Sequence, residues 1–227
     1  MQNVSSSNSQ AVNVPKLRFP GFEGEWSEIS LKNLFEEIIE KNRADLPVLS
    51  ILQGIGTVLR DTSERRISYD KANLKGYKAM KKGDFIIHLR SFEGGLECSN
   101  YDGISSPAYK ILRSEKIIPS AFKDYFRSYN FIEGKLSVAV TGIRDGKNID
   151  MPSFWDIKIS IPSMREQEKI ANFLSLLDQR IKKQRQLIDS LKLYKRGASN
   201  ILFSEIETSC DDWLPLQELF AVVTDIF

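Results

Sequence analysis

Three stretches of the 227-residue chain gather arginine, lysine, hydroxyl and amide side chains beside glycines or turns. The first, Arg60 to Lys78, holds Arg60, Arg65, Arg66, Lys71, Lys75, Tyr77 and Lys78, partly offset by Asp61, Glu64 and Asp70. The second is Arg90-Ser91-Phe92-Glu93-Gly94-Gly95, continuing to Ser105-Ser106-Pro107. The third is Thr141-Gly142-Ile143-Arg144-Asp145-Gly146-Lys147-Asn148. An arginine fork matches the O6 and N7 edge of guanine, amides suit adenine, and amines and hydroxyls hold phosphates. Carried on loops of a rigid scaffold, these groups suit double-stranded DNA. The candidate contacts are Arg65, Arg66, Lys75, Tyr77, Lys78, Arg90, Ser91, Phe92, Ser105, Ser106, Thr141, Arg144, Lys147 and Asn148. The plainer alternatives are a solvated loop with a helix face, a hairpin turn, and a connector before the last strand.

Other chemistry is poorly supplied. The sequence has no Walker A loop, no HExxH, no nucleophile elbow and no Asn-Pro-Pro-aromatic motif of the kind DNA adenine methyltransferases use. The single histidine, His88, has no His or Cys neighbours with ligand spacing and reads as a strand residue, so neither metal nor cofactor is expected. Cys98 and Cys210 lie far apart without a CxxC partner and read as free thiols of a reducing cytoplasm. A formal charge of +2 means that any DNA surface must come from segregated charge. Residues 1–13, rich in Ser, Asn and Gln, lack the features of a signal peptide and read as a disordered tail, and no apolar run suits a membrane span.

The elements that must position these loops change character along the chain. Two prolines and two glycines among bulky apolar residues in Val14–Trp26 predict an extended segment clamped onto a domain surface. Ser30 suits the cap of a short helix with Leu31, Leu34, Phe35 and Ile38 on its buried stripe. Strand signals follow at 48–52, 83–90, 108–112 and 156–160, interrupted by a helix over 120–129 with Phe122, Tyr125, Phe126 and Tyr129 on one face. The class is α+β: a mixed, small-sheet domain over 14–162, then one long coiled-coil-type helix over 163–204.

That helix carries a heptad seam. Ile170, Leu174, Leu177, Ile181, Ile188, Leu191, Ala198 and Leu202 fall at alternating steps of four and three, with Gln184 and Lys195 in the remaining seam positions. These are helix-pairing positions. Beyond a break at 205–212, Leu216-Gln217-Glu218-Leu219-Phe220 echoes Leu31-Lys32-Asn33-Leu34-Phe35, so 205–227 reads as the start of a second, truncated copy of the domain.

Two segments carry a family resemblance. Leu17-Arg18-Phe19-Pro20-Gly21-Phe22-Glu23-Gly24-Glu25-Trp26 resembles the opening of a type I restriction-modification specificity subunit. Ile161-Pro162, Glu166-Gln167-Glu168-Lys169-Ile170-Ala171-Asn172-Phe173-Leu174 and Leu177-Asp178 resemble that family's entry into its helical spacer. Gly83-Asp84 and Thr141-Gly142-Ile143-Arg144 extend the likeness over most of the chain.

The resemblance implies a non-catalytic target-recognition domain, in which each such domain reads half of a split DNA site. Paired spacer helices set the distance between halves and hold methyltransferase subunits, through which the endonuclease subunit joins. With one recognition domain and one spacer, the chain is expected to be a half-subunit. Two copies would pair their helices antiparallel into a homodimer. The alternative is a truncated remnant or regulatory half-subunit that binds partner subunits without supporting activity.

Overall fold

A computed structural model describes residues 13–60, 71–88, 94–142 and 148–209. In chain order these form β1 (Ser27–Ser30), α1 (Leu31–Leu34), β2 (Glu36–Ile38), β3 (Leu49–Leu52), β4 (Gly56–Leu59), a 3-10 turn (Lys71–Gly76), β5 (Lys78–Met80), β6 (Phe85–His88), β7 (Glu97–Cys98), β8 (Gly103–Ser105), β9 (Tyr109–Arg113), α2 (Pro119–Phe122), α3 (Tyr129–Ile132), a further 3-10 turn (Leu136–Ala139), β10 (Val140–Thr141), β11 (Asn148–Ile149), α4 (Met151–Asp156), β12 (Lys158–Ile161) and α5 (Met164–Ser209). The class is α+β, as expected. By backbone packing the chain divides into two units, Met1–Ser175 and Leu176–Phe227.

The centre of the domain is an antiparallel sheet in the order β2-β9-β6-β7. Its inner strands are apolar on both sides because both faces are covered. On one face Phe85, Ile87 and Leu112 join Phe35, Phe122, Phe126, Phe131 and Phe154 in the main core. On the other, Ile86 and Ile111 pack with Leu49 and Met80. Phe126 sits at the middle of the aromatic cluster, with ring centroids 5.0 Å from Phe85 and 4.9 Å from Phe131. The hairpin β3–β4 and the pair β5–β8 flank this sheet, and β1 pairs with β12 so that both ends of the domain meet.

Ser30 caps α1 as its sequence suggests, its Oγ accepting from the Asn33 N–H at 3.4 Å. Leu31, Leu34 and Phe35 are buried, but the helix ends before Phe35, and Ile38 lies in β2 instead. The helix expected over 120–129 is also divided. α2 stops at Phe122, and Ser128 starts α3 as a new N-cap, its hydroxyl accepting from the Phe131 N–H at 3.2 Å. Phe122 and Phe126 stay inside, whereas Tyr129, at the first position of α3, is 77% exposed. Residue 156 ends α4, so the last strand begins at Lys158. The long helix extends past the expected end at 204 to Ser209, because Glu205-Ile206-Glu207-Thr208-Ser209 contains neither glycine nor proline to stop it. Its 46 residues give a rod of about 70 Å at ~1.5 Å per residue.

Candidate nucleic-acid interface

The last residue of the first stretch, Lys78, meets Ser105 of the second across the β5–β8 pair. β6 and β9 place His88 opposite Tyr109, their rings 5.0 Å apart. Lys78 Nζ donates to the Tyr109 carbonyl at 2.8 Å. Arg60, at the end of β4, donates from Nε to Ser50 Oγ at 3.2 Å. Its charge also acts on the Tyr109 phenol, whose pKa burial raises while Arg60 pulls it the other way. Burial is the main influence holding the Lys78 ammonium below the ordinary lysine range; Lys110 and Lys41 push in the same direction, and Glu37 opposes them. The result is a patch of two cations and two aromatic rings on strand ends, with Lys78 held by a backbone carbonyl and Arg60 by a serine hydroxyl. Such a patch can hold phosphates and pack against sugars or bases without reordering long side chains.

The candidates fall unevenly on this surface. Lys75 is exposed, Lys78 and Ser106 are half-buried, and Ser106 Oγ accepts from the Ala108 N–H at 3.4 Å to shape the turn into β9. Tyr77 is half-buried and packs on the small cluster of Val48, Ala79 and Ile104. Ser105 is fully buried in β8, whose three residues are all buried, so it is removed from the list of surface contacts, whereas Ser106 lies just past the strand in the turn. Arg65, Arg66, Arg90, Ser91, Phe92, Arg144 and Lys147 lie outside the described residues. In the third stretch, Thr141 and Asn148 are exposed and pair across β10–β11, with Thr141 Oγ1 donating to the Asn148 carbonyl at 3.4 Å. This hairpin is anchored by Ile149 and Ala139 in the main core.

Gly95 permits a close approach inside the domain. A Cβ there would collide with the Phe126 carbonyl, which accepts from the neighbouring Leu96 N–H at 3.2 Å. His88 and Tyr109 were not singled out for binding in the sequence, since each reads locally as an ordinary strand residue. Only the register that sets them face to face reveals the pair. Among the described residues, no group of three or more His, Cys, Asp or Glu side chains could hold a metal ion, and no helix is long and apolar enough to cross a membrane.

A second assembly joins the amino-terminal strap to the root of α5. Arg18 forks onto Glu166, with Nε to Oε1 and Nη2 to Oε2 both at 2.8 Å, and Trp26 Nε1 donates to Oε1 at 3.4 Å. Hydrogen bonding to Glu166 is the chief cause of the raised Arg18 pKa. Gln167, itself buried, accepts from the Ile118 N–H at 2.9 Å and donates to the Lys116 and Pro162 carbonyls at 3.1 and 3.0 Å. Phe19 packs edge-on to Phe173 with centroids 5.6 Å apart. Gly83-Asp84 has a comparable internal role. Gly83 takes a left-handed φ of 93°, and buried Asp84 receives Arg113 Nε at 2.8 Å and Nη2 at 2.7 Å.

Residues 24–193 match the profile of a family described as the type I restriction modification DNA specificity domain. The chain belongs to that family. Similar solved structures include an HsdS subunit from Thermoanaerobacter tengcongensis (16% identity, TM-score 0.45, covering 74% of this chain and 41% of that one). Another is an S subunit of a type I restriction-modification system from M. genitalium (15% identity, TM-score 0.49, 81% and 47%). A third comes from work on complex assembly and conformational transition of the type I R-M system (17% identity, TM-score 0.48, 81% and 46%). The chain therefore spans less than half the length of these structures. No curated protein matches it by sequence. The strap and the Glu166-Gln167 pair together lock the root of α5 to the domain.

Along the rest of α5, Leu177, Ile181, Ile188, Leu191 and Leu202 are each 42–60% exposed. Ala198 is half-buried. Ile170 and Leu174 are half-buried as well, beside buried Ala171 at the root.

Proposed function

We propose that this protein carries a sequence-specific DNA-recognition domain of a type I restriction-modification complex, directing methyltransferase subunits, and through them the endonuclease subunit, to a bipartite site. The family match over residues 24–193 carries this reading. The basic and aromatic patch around Arg60, Lys78, His88 and Tyr109 supports it, because its phosphate-binding and stacking groups are fixed on strand ends. The chain reads DNA and leaves bond-making to its partners. Two copies pair through α5 in antiparallel fashion and present two identical recognition domains. Twofold symmetry then requires an inverted repeat with a gap.

The patch is tested by DNA affinity against salt concentration, measured on the chain assembled with methyltransferase subunits. Arg60→Ala and Lys78→Ala should each lower affinity and reduce the slope of log K on log salt by about 1. Lys32→Ala, at an exposed position on α1, should leave the slope unchanged. Unchanged slopes in both patch variants would place the DNA elsewhere on the domain.

A further inference from the structure

The seam of α5 is built to meet itself in one register. The half-burial of Ile170 and Leu174 and the Phe19–Phe173 contact assign the first turns of the helix to its root. The seam left open runs Leu177, Ile181, Gln184, Ile188, Leu191, Lys195, Ala198 and Leu202. In an antiparallel coiled coil each layer sets an a position of one helix against a d position of the other. Read from either end, this series has an apolar pair, then a polar residue, then an apolar pair about its centre, then a polar residue, then an apolar pair. We infer that two copies pair about a twofold axis passing between Asp189 and Ser190, so that Gln184 of each copy faces Lys195 of the other.

In this register Leu177 meets Leu202, Ile181 meets Ala198, and Ile188 meets Leu191. The Gln184 amide oxygen accepts from the Lys195 ammonium. Shifting the axis by half a heptad, to residue 186, brings Leu177 against Lys195 and Ile188 against Gln184, so all the polar groups face hydrocarbon. An unmatched polar group in a buried layer is costly, whereas a matched pair fixes register. The flanking positions agree on one side, where Leu187 faces Tyr194 of the second copy; both are exposed on the single chain. On the other side Arg185 falls beside Lys192, a solvated like-charge contact that salt screens. Raising the ionic strength should therefore tighten the dimer.

This inference rests on the homodimer proposed above, and the test separates the two. In a Cys210→Ser background, Cys98 remains, buried and with its thiol pKa pushed up to about 11, so it stays silent under mild oxidation. Light scattering on the full chain first gives the oligomeric state. Oxidation of Leu177→Cys/Leu202→Cys should then yield a covalent dimer. Leu177→Cys alone and Leu177→Cys/Lys195→Cys should not. A dimer that links through 177 and 195, or through 177 with itself, overturns the register while leaving the dimer. A monomer at micromolar concentration, alone and with methyltransferase subunits, overturns both.

Discussion

Gln167 shows how a single side chain ties the root of α5 to the domain. Gln167 satisfies three backbone groups from a position with 1% exposure. Gln167→Ala leaves the Ile118 N–H and two carbonyls without that partner, and should cost about 2–3 kcal/mol in urea unfolding. Glu168→Ala, one residue on and exposed, should change stability by less than about 0.5 kcal/mol. Equal effects would mean that the Gln167 bonds contribute nothing net. The Glu166-Gln167 pair stands out in the sequence as a family feature, but its partners do not. Arg18 lies 148 residues away from Glu166, and nothing local announces that they meet. Ser105 and Ser106 make the opposite point: adjacent and chemically alike, they differ because Ser105 ends the buried strand β8 and Ser106 lies in the turn beyond it.

Among the elements, the short helices depend on their caps. Asp150 caps α4, its Oδ2 accepting from the Ser153 N–H at 2.9 Å and the Ser153 hydroxyl at 2.6 Å. Those bonds lower the Asp150 pKa, the side-chain bond most and the backbone bond next. A depressed carboxylate contributes stability that is full above its unfolded value and lost as pH falls through its folded value. Stability should therefore decline below about pH 4. Asp150→Asn keeps a capping oxygen that does not titrate, so its unfolding midpoint should fall less between pH 5 and pH 3 than that of the wild type; parallel losses would assign the acid sensitivity to other groups. Strands β6 and β9 were legible from apolar runs bounded by turns, since burial on both faces leaves that mark, whereas short strands such as β2 and β7 carry too few residues to show a pattern. The break between α2 and α3 was not, because Phe122, Tyr125, Phe126 and Tyr129 fit one helical face equally well. Ser128 decides the matter by capping a second helix. The end of α5 was misplaced for a related reason: a polar run reads as a break when only the apolar rhythm is followed.

For the whole molecule, the proposed reading of one half-site by the domain and a helix whose seam matches itself belong to one account. The positions and types of the α5 seam were visible in the sequence, and the structure adds which of them the domain root already covers. The proposed DNA face was half visible, through the basic stretch that ends at Lys78, while the pairing of His88 with Tyr109 depends on register. Two identical domains related by a twofold axis can read only a sequence that repeats in inverted orientation. Co-expression of the chain with methyltransferase subunits, followed by a genome-wide map of methylated adenines, addresses this directly. Modified adenines should lie in a gapped inverted repeat. An asymmetric two-part sequence would contradict pairing of identical copies, and methylation without any shared sequence would contradict DNA recognition by this chain.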